Sequence, residues 1–446
     1  MNFPEIALKV PRILLPRPDI DLHRWAVIAC DQHTARPEYW QKVAEFVGES
    51  PSTLNLIFPE VYLEGPDSGD RVARINESMR RYLDGGVLQE QRPGFILADR
   101  ATAHVPSRKG LVVALDLEEY DYRPGSKTLI RATEGTIVER LPPRIKVREH
   151  APIESPHIMV LIDDPERTVI EPLFDKPLKP VYDFSLMLNG GHIRGWHVCD
   201  EADIRHVAES LAALAAPGRF RTRYGVDDQE VMLYAMGDGN HSFATAKAIW
   251  ERLKLNAEDP AAIMEHPARY ALVELVNLHD PGLEFEAIHR VLFGVDSDRL
   301  LAEMADYYQA RGELFSWRPV DDAAAEADQS GAEGSHRIPF ITSDRQGIIE
   351  VAHPRFNLVV ATLQSFLDEF LGDHPEVRID YIHGAETVSE LGVRERNIGF
   401  FLPAISKHEL FKTIVLDGAL PRKTFSMGEA DEKRFYLEAR KIVCDS

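Results

Sequence analysis

At 446 residues the chain is longer than one compact core usually accommodates, so two or more packed lobes are expected. Its 44% hydrophobic and 28% charged residues are those of an ordinary globular protein. A formal net charge of −21 repels a phosphate backbone and an anionic membrane face, which argues against both partners and requires a local basic pocket for any anionic ligand.

The opening residues, MNFPEIALKVPRILLPRP, lack the uninterrupted apolar core of a signal peptide. Trp25–Cys30 (WAVIAC) reads as a strand ending in the polar Asp31-Gln32-His33-Thr34, and Pro37–Val47 as a helix with proline in its first turn. A helix over Arg71–Leu83 precedes strands at Gly94–Ala98 and Leu111–Leu117, then a basic segment, Lys127–Arg148, and a strand at His157–Ile162. Lys176–Phe184, punctuated by prolines, reads as a connection between lobes. Next come a helix over Ala202–Ala215, a strand at Val231–Met236, a helix over Phe243–Leu255 and a strand at Tyr270–Leu278. Helices over Asp298–Ala310 and Val359–Leu371 flank Asp321–His336, which is rich in Ala, acid and Gly without an apolar anchor. A strand at Asn397–Leu402 and a helix over Glu432–Ile442 complete the series.

This alternation is not a regular βαβ repeat, so the expected class is mixed α/β, a large mixed sheet system with flanking helices. The expected division is an N-terminal α/β lobe over 1–180 carrying the basic segment 127–148, and a central lobe over 181–320 carrying the Gly237–Ser242 turn. A flexible linker or insertion over 321–336 and a C-terminal lobe over 337–446 follow. Cys30, Cys199 and Cys444 form no Cys-x-x-Cys pair, so three reduced thiols in a cytoplasmic protein are expected. No run of about 18 apolar residues suggests a membrane span.

Four segments are candidates for chemistry. Gly237-Asp238-Gly239-Asn240-His241-Ser242 lies between a strand and a helix, where backbone N–H groups and the helix dipole make an anion site. Gly239 lets the backbone approach a ligand, Asn240 or Ser242 can cap the helix, and Asp238 and His241 are left for acid–base or metal work. The plainer alternative is a tight turn with an N-cap. Lys127–Arg148 holds Lys127, Arg131, Arg140, Arg144, Lys146 and Arg148 against Glu134 and Glu139. Arg131, Arg140 and Arg144 suit bidentate contact with phosphate oxygens, or else belong to a solvated, alternating-charge strand pair. At the end of the strand to Leu278, Asp280 and Glu284 are a carboxylate pair able to hold Mg²⁺, or a turn closing a core strand. His279 and His289 lack the spacing of a helical zinc pair. Lys423, within Pro421–Gly428, belongs to a phosphate nest or an edge strand with a turn. Near the start, Glu60 is a candidate general base.

GDGNHSFATAKAIWE resembles the Asp-Gly-x-His segment of the domain of unknown function 1015 family, in the branch where Asn-His-Ser stands for His-His-Arg. WAVIACDQHTARPEYW, RATEGTIVERLPPRIKVRE, ESPHIMVLIDD, RYALVELVNLHDPGLEFEAIHRV and LPRKTFSMGEADEKRFY resemble further family blocks in the expected order. The resemblance implies phosphorylation of free serine using pyrophosphate, the activity associated with members similar to this branch. The turn is also similar to that of ParB-like free-serine kinases, which implies a ParB-like element there. Thr133-Glu134-Gly135-Thr136 stands where the wider family has His-Glu-x-Thr, so no histidine role carries over to that block.

Two functions are therefore expected alternatives. One is a small-molecule kinase transferring phosphoryl from pyrophosphate or a nucleotide to the hydroxyl of L-serine or a similar metabolite, with Mg²⁺. There Arg131, Arg140, Arg144 and Lys423 hold the donor, Gly239, Asn240 and Ser242 cradle a phosphate, Asp238 or Glu60 takes the proton, and His241 orients an oxygen. The other is a non-catalytic regulator that binds a phosphorylated metabolite. Neither calls for haem, flavin, zinc or nicotinamide.

Overall fold

The computed structural model describes residues 1–444 except 35, 64, 124, 328–330, 332, 333 and 429. The chain forms two compact units: Met1–Leu283 with Gly428–Ser446, and Glu284–Met427.

The first unit is built on a mixed sheet. Its main strands are β1 (Phe95–Ala101), β2 (Arg108–Asp116), β3 (Ile130–Arg131), β4 (Met159–Ile162), β5 (Pro180–Ser185), β6 (His192–Val198), β7 (Tyr234–Asp238) and β8 (Tyr270–Asn277). They run in the order β5-β6-β1-β2-β8-β4-β7-β3, and Leu8–Lys9 also pairs with β2. The β4–β8 and β7–β3 pairs are parallel and the others on this path antiparallel. Aliphatic residues alternate between the faces, as a period of two demands. Leu97, Val113 and Val273 pack toward α4 (Glu201–Leu214) and α6 (Asn240–Leu255). Ile96, Val112 and Leu272 face a second core with Trp40 and Val43 of α1 (Pro37–Val47) and Met79 of α2 (Ser68–Asp84). The short helices α3 (Leu141–Arg148) and α5 (Pro217–Tyr224) and a single turn at Leu22–Trp25 are also present, and α3 packs on α6.

Every residue of β8 is buried, including Glu274. Burial pushes that carboxyl up, but Arg434, 2.7 Å away, and Arg108 outweigh it and hold it ionised. Room for it comes from β2, because a Cβ on Gly110 would lie 2.2 Å from its Oε1.

The returning segment corrects one expectation: residues 432–442 are not a helix. They form a turn and two short strands, Phe435–Tyr436 on Val27–Ile28 and Arg440–Lys441 on Ile153–Glu154. Residues 435–440 are all buried, which one helix face could not achieve. Lys176–Phe184 also differs from expectation, since its second half is the edge strand β5, where Pro180 needs no ladder hydrogen bond.

In the second unit, β9 (Phe285–Phe293), β10 (Leu314–Pro319), β11 (Ser335–Ile341), β12 (Gln346–Ala352), β13 (Arg378–His383) and β14 (Asn397–Phe400) follow the order β10-β12-β11-β14-β9-β13. β15 (Phe425–Met427) pairs with the start of β9, so this unit's two ends are neighbouring antiparallel strands. Its helices are α7 (Ser297–Ala310), α8 (Val359–Asp373), α9 (Ala385–Gly392) and α10 (Lys407–Asp417). Of the expected linker 321–336, residues 328–330, 332 and 333 lie outside the described residues. Ala323 and Ala327 are buried in this unit's core beside Val291 and Phe401, and Ser335 opens β11.

The whole is mixed α/β, with a large mixed sheet and flanking helices. Among the described residues no helix is long and apolar enough to cross a membrane, and the three cysteines are free of disulfides.

Candidate active site

β7 ends at Asp238, Gly239 turns the chain with φ 78°, and α6 starts at Asn240. A Cβ at residue 239 would stand 3.1 Å from Ile158, so both conformation and space favour glycine there. Because Gly239 is itself the N-cap, no side chain caps the first turn of this 16-residue helix. The cap expected from Asn240 or Ser242 is thus absent, and its backbone N–H groups present a positive end. The Asn240 Oδ1 is buried without a hydrogen-bond partner.

Asp238 accepts from the Gly239 N–H at 2.8 Å and pairs with Lys433 Nζ at 3.1 Å. Burial raises its pKa, but Lys433 and His157 more than offset this, so the carboxyl sits below its ordinary value. Burial, with Arg144 and Arg140 adding repulsion, pushes His241 down to about 4, so it is neutral near pH 7. The Ile137 N–H approaches its Nε2 at 3.4 Å.

Beside this turn is a cavity of about 140 Å³ whose polar lining includes Glu60, Arg144, His157 and Ser242. The rest of the lining is largely apolar, including Phe58, Leu63, Met79 and Ile153. Arg144 Nη2 straddles the Glu60 carboxylate, 2.5 Å from Oε1 and 2.6 Å from Oε2. Ser242 Oγ is 3.0 Å from His157 Nε2, and His157 Nδ1 is 2.7 Å from the Tyr436 hydroxyl. That hydroxyl donates to Cys30 Sγ at 3.1 Å and accepts from the Cys30 N–H at 3.2 Å. Burial holds the Cys30 thiol and the Tyr436 phenol protonated.

The structure thus brings Glu60, Arg144 and Ser242 to one cavity, with Asp238, Gly239, Asn240 and His241 at the adjoining turn. Arg140 is exposed at the start of α3. Arg131 is elsewhere engaged: it is buried in β3 and donates to the carbonyls of Thr128 and Glu230. Lys423 lies in the second unit, where its carbonyl accepts from the buried Arg290. Asp280 is buried, its two oxygens accepting the N–H groups of Gly282 and Lys109, and Glu284 is exposed. Among the described residues no group of three or more His, Cys, Asp or Glu has metal-holding geometry.

His157, Tyr436 and Lys433 were not singled out from the sequence. Ser242 and His157 stand 85 positions apart, and His157 and Tyr436 279 apart, so no local pattern connects them. The one available signal was His157 directly before an apolar strand.

A model of the family described as "Protein of unknown function (DUF1015)" matches residues 14–370. No curated protein matches the chain. Among solved structures it is similar to a free serine kinase mutant in complex with AMP, at 11% identity and a TM-score of 0.40, over 74% of this chain and 92% of that one. A conserved hypothetical protein from Pyrococcus furiosus is 14% identical with a TM-score of 0.36, over 74% of this chain and 95% of that one. SbnI with a C-terminal truncation, from Staphylococcus aureus, is 10% identical with a TM-score of 0.35, over 71% of this chain and 82% of that one.

Proposed function

The chain belongs to the DUF1015 family, whose description names no activity, and we propose from the site itself that it transfers a phosphoryl group to the hydroxyl of a small metabolite. The observation that carries this reading is one cavity, lined by both Arg144 and Ser242, beside the uncapped first turn of α6. In a chain of net charge −21, that is where a polyphosphate finds a cation and open N–H donors. Such chemistry is chiefly positioning and charge neutralisation. Arg144 and the turn at Gly239–Ser242 hold the donor, with Arg140 adding positive charge at the edge. Glu60 fixes the Arg144 guanidinium, and Asp238 fixes the Lys433 ammonium. Free L-serine as acceptor and pyrophosphate or a nucleotide as donor are the specific form of the proposal, following the resemblance of the Gly237–Ser242 turn.

Mg²⁺ customarily accompanies a polyphosphate and needs only one or two protein carboxylates, its other ligands being water and phosphate oxygens. Asp280 does not fit that part, since it is buried and its oxygens already accept the N–H groups of Gly282 in its own turn and Lys109 in β2. The ion would enter with the donor.

A second reading, a regulator that binds a phosphorylated metabolite without turnover, is favoured by one fact. Both Glu60 and Asp238 are already committed to ion pairs.

Phosphorus NMR of the protein with Mg²⁺, serine and either pyrophosphate or ATP separates the two. Phosphoserine is the expected product. Arg144→Met should raise the donor KM by roughly 10–100-fold, the value of one charge-assisted hydrogen bond. Pyrophosphate binding by calorimetry without product formation would favour the regulator, and absence of both would reject the site.

A further inference from the structure

Glu60 is held by Arg144 and Asp238 by Lys433, and Asp31 lies 3.9 Å from His157 Nε2, so the imidazole is the group placed to take a hydroxyl proton. The Tyr436 oxygen accepts from the Cys30 N–H, and its proton goes to Cys30 Sγ. Its remaining lone pair suits a donor, so His157 carries its hydrogen on Nδ1, 2.7 Å away. Nε2 is then bare and faces Ser242 Oγ at 3.0 Å. A hydroxyl, a base within hydrogen-bond reach and a third group fixing the base's tautomer are the parts of an activated nucleophile. All three are found here, and Ser242 and His157 line the cavity with Arg144.

We propose that Ser242 is a nucleophile and that transfer passes through a phosphoserine at residue 242, an inference that rests on the phosphoryl-transfer reading of this cavity. Ser242 Oγ attacks a terminal phosphorus of pyrophosphate while its proton passes to His157 Nε2. The new O–P bond forms as the bridging P–O bond breaks, and orthophosphate leaves. The acceptor hydroxyl then attacks the same phosphorus and the Ser242 O–P bond breaks. His157, having lost its first proton to the departing orthophosphate, takes the acceptor's proton and returns it to Ser242 Oγ. The net change is one phosphoryl group moved, with no oxidant or reductant. Tyr436 stands behind His157, outside the cavity lining, and is a positioning residue.

The test uses the full chain with Mg²⁺ and radiolabelled pyrophosphate, first without an acceptor and then chased with serine. Label is expected on Ser242 by peptide mapping, discharged to phosphoserine at least as fast as steady-state turnover. Ser242→Ala should carry no label and transfer roughly 10³-fold more slowly, and His157→Gln should slow labelling by roughly 10²–10⁴-fold. Circular dichroism of both variants confirms folding. The inference fails if wild type phosphorylates serine without labelling, if the label discharges more slowly than turnover, or if Ser242→Ala keeps its rate within threefold. Each of those outcomes leaves the kinase reading intact. A wild-type protein that neither labels nor phosphorylates serine with pyrophosphate overturns this inference, and the same result with ATP as donor overturns the kinase reading as well.

Discussion

Asp238 and Lys433 come from parts of the chain almost two hundred positions apart, yet they form one charge pair at the end of β7. If Asp238 acts by fixing Lys433, then Asp238→Asn and Lys433→Met should lower kcat to similar extents, and the double variant should be no slower than the slower single one. Independent roles would instead make the losses multiply. Asp238→Asn should cost about 1 kcal/mol or less, because Asn suits the turn as Asp does, whereas Lys433→Met leaves a largely buried carboxylate without its cation and should cost more. His241 gives a pH signature. Its pKa in the fold is about 4, whereas an unperturbed histidine titrates near 6.5, so acid protonates the unfolded chain first. Its contribution to stability is present above pH 6.5 and is lost as pH falls toward 4. Urea midpoints should therefore fall more for wild type than for His241→Gln between pH 7.5 and 4.5.

The segment from Gly428 onward is where sequence and structure part most instructively. Arg434 and Glu438 are four residues apart and oppositely charged, the spacing that marks a helix surface pair. In the fold they lie in extended chain with a 2.5 Å contact, both buried. Arg434 also reaches Glu274, and Glu438 accepts from the Tyr182 hydroxyl at 2.6 Å. Local spacing mimics a helix because the deciding partners are hundreds of positions away. By contrast α1 was legible to the residue, since a proline at its first position and an apolar stripe fix both start and face. The turn at Gly237–Ser242 was legible because glycines between a strand and a helix carry their meaning locally. Its partners His157 and Tyr436 were not. Arg434→Met would leave Glu438 buried without its cation and Glu274 with only Arg108 and Arg100 nearby, so denaturant unfolding should show a loss of about 3–5 kcal/mol.

At the scale of the whole chain, length points to several lobes, and acidity requires that any anion be held by a local basic pocket. They did not mark where the second unit begins, because the crossing at Leu283–Glu284 has neither a glycine run nor a charge block. That unit starts and ends on paired strands, Phe285–Ala287 against Phe425–Met427, so its chain closes on itself. Residues 284–427 expressed alone should unfold in one cooperative thermal transition; a broad, non-cooperative melt would show that the unit depends on the rest.

The return of residues 428–444 to the first unit also sets an order in time. A ribosome releases β8, with Glu274 at its centre, long before Arg434, and the second unit's whole length is made in between. At cellular elongation rates of roughly 5–20 residues per second, that interval is on the order of ten to thirty seconds. Through it the nascent first unit carries a carboxylate at a core position without its principal cation, and a His157 without the phenol that orients it. The interrupted unit is thus the last to finish: its cavity is lined by residues made early, between Cys30 and Leu272, but the hydroxyl behind His157 comes only with the final strands. Any chain that stops short of Tyr436 would hold Ser242, Arg144 and Glu60, and still lack the hydroxyl that sets the tautomer of His157.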